Sequence, residues 1–127
     1  MLQIYKDRSV SEGEKVKVYF NLHTHLFSML AMEGKHKGKV VAHGNGIEIE
    51  NVVFHINKSG QLRVREQQKR NVHAYAVGTF KGITQTELEG KAYYNPYLTD
   101  KFINLDTKLE LDGVEVAVLK DKRITYV

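Results

Sequence analysis

Between Lys15 and Leu22 the chain alternates strictly. Val16, Val18, Phe20 and Leu22 fall on one side of an extended backbone, and Lys15, Lys17, Tyr19 and Asn21 on the other. A period of two gathers apolar side chains on one face of a strand and on no face of a helix. This stretch is therefore half-buried strand with one wet side. The apolar run Leu26–Met32 is its partner across a turn at Asn21–His25, and a polar loop bounded by Gly34 and Gly38 follows.

The same period returns downstream. Lys39–His43 reads as a short strand ending in a tight turn at His43–Gly46. In the next strand Ile47 and Ile49 share one parity and Val52, Phe54 and Ile56 the other, so a β-bulge near Glu50-Asn51 is needed to reconcile them. Val72–Ile83 is a long strand with Gly78 as a point of close approach, and Leu88–Asn95 is another. Asp112-Gly113, between Leu109–Leu111 and Val114–Val116, is the strongest hairpin signal. Ile124–Val127 is a closing edge or pairing strand. Ser59–Arg70 alone has helical composition, with Ser59 as N-cap and Asn71 as stop. The expected fold is mainly β, an antiparallel Greek-key-like sheet or open barrel decorated with one or two helices.

The chain has 127 residues, 42% of them hydrophobic and 27% charged. That predicts one domain, residues 1–127, able to bury a core without staples. It contains no cysteine, which excludes disulfides, thiolate metal sites and cysteine nucleophiles and fits a reducing cytosol. Met1–Glu12 is too charged for a secretory signal, and the longest apolar run is far shorter than the roughly 20 residues of a membrane span. A soluble protein with no membrane partner is expected. The net charge is +4, and all of it lies in Lys58–Arg70, where Lys58, Arg63, Arg65, Lys69 and Arg70 face Glu66 alone. A local excess of this kind suits an anion site more than a general nucleic-acid coat.

Catalytic patterns are thin. Six histidines are present, but neither HExxH nor any other metal-ligand spacing, so no metal or other cofactor is expected. Glu48 and Glu50 alternate with apolar residues, as a solvated strand face does. None of the four serines stands in a nucleophile elbow, and Gly44-Asn45-Gly46 lacks the lysine of a phosphate loop. No catalytic residue is assigned, and the expectation is a binding protein, not an enzyme. On a helix, Arg63, Gln67 and Arg70 share one face, with Arg65 and Lys69 beside it; guanidinium forks suit phosphate oxygens. Tyr93, Tyr94 and Tyr97 crowd Asn95-Pro96, supplying rings for stacking and an amide for a base or ribose edge. Lys120, Lys122 and Arg123 form a third basic point. The same residues would serve a small RNA- or DNA-binding module, whose affinity would fall steeply with salt. A phosphodiesterase would destroy its ligand and use the histidines for metal.

Four stretches read together, Lys17–His23, Gly38–His43, Asn71–Gly78 and Tyr93–Tyr97, resemble the phage Thoeris anti-defence sponge family, type one. The resemblance runs from Lys15 to the C-terminus and leaves residues 1–14 as an N-terminal extension. It implies a non-enzymatic protein in the cytoplasm of the infected bacterium. Such a protein sequesters the cyclic ADP-ribose isomer (glycocyclic ADP-ribose) made by a TIR-domain immune enzyme, and some members hold cyclic oligonucleotides at a second site. It also implies a decorated Greek-key fold, dimer-based homo-oligomers extending to hexamers, and a pocket near a subunit interface. The family pocket uses an arginine at a helix end, an aromatic stacked on adenine, an asparagine and a late basic residue. Here these map to Arg70, Tyr94, Asn104 and Arg123; Tyr93 competes for the aromatic role and Asn95 for the amide.

Overall fold

The computed structural model describes residues 2–127. Alternation becomes strand where it is strongest. β2 (Lys15–Phe20) buries Val16 and Val18 completely and pairs antiparallel with β3 (Phe27–Ala31), Phe20 opposite Phe27. Asn21 forms the turn between them. Its Oδ1 accepts from the backbone N–H groups of His23 and Thr24 at 2.8 and 3.0 Å, the local bonding that makes asparagine a turn residue.

The remaining strands are β1 (Leu2–Ile4), β4 (Val40–Gly44), β5 (Ile47–Ile56), β6 (Ala74–Ile83), β7 (Gly90–Tyr93), β8 (Ile103–Asn104), β9 (Gly113–Lys120) and β10 (Arg123–Tyr126). They form one antiparallel sheet in the order β1-β4-β3-β2-β6-β5-β9-β10-β7-β8. The mainly β class and the open sheet agree with the sequence. β2, β3 and β4 form a meander, and the chain then crosses to lay β6 back beside β2 in a Greek-key manner. The crossing is abrupt. Between β4 and β5, four places apart in the sheet, lie only Asn45 and Gly46. On a flat sheet four places would span about 19 Å, whereas three Cα steps reach about 11 Å. The sheet must therefore curl over its own core, and Met29, Ile47, Ile49, Val52 and Leu119 are sealed inside. Gly46 holds the crossing by donating to Leu119 O and accepting from Thr84 N, both at 2.8 Å.

The bulge falls where the parity demands it: the β5–β6 register slips between Glu50 and Val53, and Asn51 adopts φ 52°. Gly78 lies opposite, where an added Cβ would stand 2.7 Å from Glu50 O. β6 begins at Ala74 and β7 runs from Gly90 to Tyr93, each shorter than the alternation suggests.

Two expectations are corrected. The helix α1 spans Lys58–Gln67, not Ser59–Arg70. Asn57 caps it by accepting from Gly60 N at 3.1 Å, and Gln68 ends it in the left-handed region at φ 54°. Lys69 and Arg70 thus leave the helix, and the shared face of Arg63, Gln67 and Arg70 does not form. Asp112-Gly113 is not a hairpin: Gly113 enters β9 directly against β5, and Asp112 O accepts from Phe54 N at 3.0 Å. Pairing with distant β5 overrides the local turn signal. The two-residue hairpin lies instead at Asp121-Lys122, joining β9 to β10 with φ of 49° and 66°. Within residues 1–14, β1 joins the sheet by pairing with β4, and Tyr5 N donates to Val41 O; Met1 lies outside the described residues.

Candidate functional site

The early end of α1 released the basic residues into a loop, Gln68–His73, that runs into β6. This loop, the end of β2 and the turn after β7 enclose a cleft of about 440 Å³. Phe20, Leu22, Val64, Val72, Pro96 and Tyr97 give it apolar walls, and Lys69 and Arg70 stand exposed at its rim.

Tyr94 forms the back wall and is fixed from three sides. Its ring stacks on Phe102 at 5.4 Å, and Phe102 stacks on Phe54 at 4.6 Å, which ties the wall to the core. Its hydroxyl lies 2.7 Å from His73 Nε2 and accepts from Gln61 Nε2 at 3.1 Å. His73 Nδ1 lies 2.9 Å from Asn71 O. A carbonyl can only accept, so that nitrogen carries the proton, and Nε2 then accepts from the Tyr94 hydroxyl. The chain Gln61 to Tyr94 to His73 to Asn71 is closed, with His73 and Gln61 both buried. Burial raises the Tyr94 hydroxyl above its ordinary value, with the Gln61 hydrogen bond pulling the other way. Gly60 makes room for the histidine: a Cβ there would meet His73 Cβ at 2.5 Å.

Two further hollows adjoin the cleft. One, of about 260 Å³, shares Phe20, Ala74 and Tyr94 with it and adds Phe27, Tyr93 and Lys122. The other, of about 500 Å³, meets the cleft at Arg70–Val72 and is lined by Tyr19, Asn21 and His23. Among the described residues no Asp or Glu lines any of the three. Apolar walls with cations at the rim suit a planar, phosphate-bearing molecule.

The sequence candidates divide accordingly. Lys69, Arg70 and Tyr94 meet in the cleft, and Tyr93 faces the adjoining hollow. Arg63 is exposed on α1 and lines none of the hollows. Asn95 organises the turn, Oδ1 accepting from Tyr97 N at 2.9 Å and Nδ2 donating to the Tyr93 hydroxyl at 3.2 Å. Asn104, on β8, donates to the Tyr126 hydroxyl at 2.6 Å and caps the following turn by accepting from Asp106 N and Thr107 N. Arg123 is exposed at the start of β10; its neighbour Lys122 is the residue that lines a hollow. Arg65 clasps the tyrosine turn to the helix through Pro96 O, Thr99 O at 3.1 Å and Asp100 Oδ1 at 2.9 Å. Gln61 and His73 escaped sequence reading, because their roles depend on a tyrosine more than twenty residues away. Among the described residues no three His, Asp or Glu group to hold a metal, and His43 instead pairs with buried Ser28 at 2.7 Å. Among the described residues no helix is long and apolar enough to cross a membrane.

A family model described as Mycobacterium phage L5 gene 82 protein matches residues 9–127. The gene 82 protein of Mycobacterium phage L5 is 30% identical over 117 residues, which cover 87% of this chain and 93% of that protein. No solved structure matches.

Proposed function

The chain belongs to the family of the Mycobacterium phage L5 gene 82 protein, and from that phage family and the cleft we propose a protein that binds a small phosphorylated nucleotide and keeps it intact. The observation that carries this reading is the placement of Lys69 and Arg70, without a carboxylate partner among the described residues, at the rim of an aromatic-walled cleft. Guanidinium and ammonium groups hold phosphate oxygens by charge-assisted hydrogen bonds, and Tyr94 offers a ring whose position is already fixed. Both nitrogens of His73 are engaged, so the cleft's imidazole supports the wall.

The ligand proposed is the cyclic ADP-ribose isomer of TIR-domain immunity, implied by the sponge-family resemblance. The function is its sequestration in the cytoplasm of the infected host, by a homo-oligomer. Calorimetric titration with that isomer, followed by heating the complex and chromatography of the released nucleotide, tests the proposal. Saturable binding with intact ligand recovered supports it. Altered ligand makes the protein an enzyme. No binding of the isomer, together with salt-sensitive binding of long oligonucleotides, replaces the proposal with a nucleic-acid module.

A further inference from the structure

Lys122 stands on the hollow that adjoins the cleft. It lines the aromatic hollow, and its Nζ sits 6.0 Å from the centre of the Phe20 ring. Phe20 is common to both hollows, so this ammonium stands beside a ring that both share. Its backbone is costly to hold there. Asp121 and Lys122 form a two-residue hairpin turn with both φ positive, a geometry that favours Asn-Gly because a Cβ crowds the neighbouring carbonyl. Lys108 tolerates a similar φ of 65°, but its ammonium is used locally, donating to Leu105 O at 2.7 Å. Among the described residues Lys122 makes no hydrogen bond or ion pair. A lysine held at positive φ, its side chain engaged only by the Phe20 ring and lining a hollow without carboxylates, marks a site.

Resting on the reading that the cleft holds a phosphorylated nucleotide, we infer that Lys122 is a second anion-binding residue and that the ligand class is a nucleoside carrying two phosphate groups. Lys69 and Arg70 meet one phosphate and Lys122 the other. The planar ring lies against Phe20 and Tyr94. Taken together the two hollows, about 440 and 260 Å³, fall in the size range of small-ligand pockets, about 300–1,000 Å³.

The test is calorimetry on the full chain with adenosine diphosphate, adenosine monophosphate and inorganic pyrophosphate as probes. The diphosphate is expected to bind about tenfold tighter than the monophosphate, the scale of one added charge-assisted contact. Lys122→Gly gives the turn the residue it prefers, so the variant folds; it is expected to bring the two affinities together while leaving the monophosphate unchanged. Lys81→Ala, an exposed cation elsewhere on β6, controls for net charge and is expected to preserve the tenfold preference. A preference that survives Lys122→Gly overturns the inference while the cleft reading stands. Pyrophosphate binding as tightly as the diphosphate removes the ring from the inference. If neither nucleotide binds, the cleft reading falls and the inference with it.

Discussion

Arg70 and Tyr94 play different physical parts in the same cleft, and substitution separates them. Arg70 is exposed and leaves the fold alone. Arg70→Ala is expected to weaken nucleotide binding tenfold or more by calorimetry, with stability changed by no more than about 0.5 kcal/mol. Tyr94 is structural as well as a wall. Tyr94→Phe deprives buried His73 Nε2 of its donor and Gln61 Nε2 of one of its two acceptors, and should cost about 1–3 kcal/mol in chemical denaturation at neutral pH. Its pH dependence follows from burial. The folded chain holds the hydroxyl proton more tightly than the ordinary 10.0, so the group's contribution is complete below about pH 10 and is lost as pH climbs through the raised folded value. Melting temperature is therefore expected to fall above pH 10, and less steeply in Tyr94→Phe. Residue types told the sequence reading where charge and rings collect. They did not reveal turn capping: the Oδ1 atoms of Asn95 and Asn104 accept from neighbouring backbone N–H groups, while their Nδ2 groups donate to tyrosine hydroxyls.

At the scale of elements, period-two strands were legible because each buries its own side chains in register, bulge included. The end of α1 and the hairpin were not. Ser59 and Asn57 are both competent caps, and the choice fell to Asn57, whose Oδ1 also accepts from the Ser59 hydroxyl at 2.7 Å. Asn57→Ala is expected to cost about 1 kcal/mol in equilibrium unfolding. Since α1 carries Gln61 and Arg65, a frayed first turn would also loosen the cleft's back wall. The Asp112-Gly113 signal lost because β5 offered β9 a long partner, whereas Leu109–Leu111 finds only an isolated bridge at Glu110.

For the whole molecule, the curl between β4 and β5 is the feature no local pattern announces, because it follows from where distant strands dock. Gly46 is its narrowest point: φ is 75°, and an added Cβ would press on the carbonyl of Thr84. Gly46→Ala is expected to destabilise by about 2 kcal/mol or more, read from thermal and denaturant unfolding. The proposed homo-oligomer predicts a mass above that of one chain by light scattering, and a clean monomer would remove it.

β10 has a consequence for the order in which the molecule can be made. It lies between β9 and β7, yet it is synthesised after every other strand. Until it leaves the ribosome, β7 has no neighbour on the side away from β8, and the nascent chain carries two open strand edges, on β9 and β7, that the finished sheet closes. At about 5–20 residues per second, that interval lasts on the order of seconds, long enough for chaperones to engage and for neighbouring nascent chains to pair wrongly.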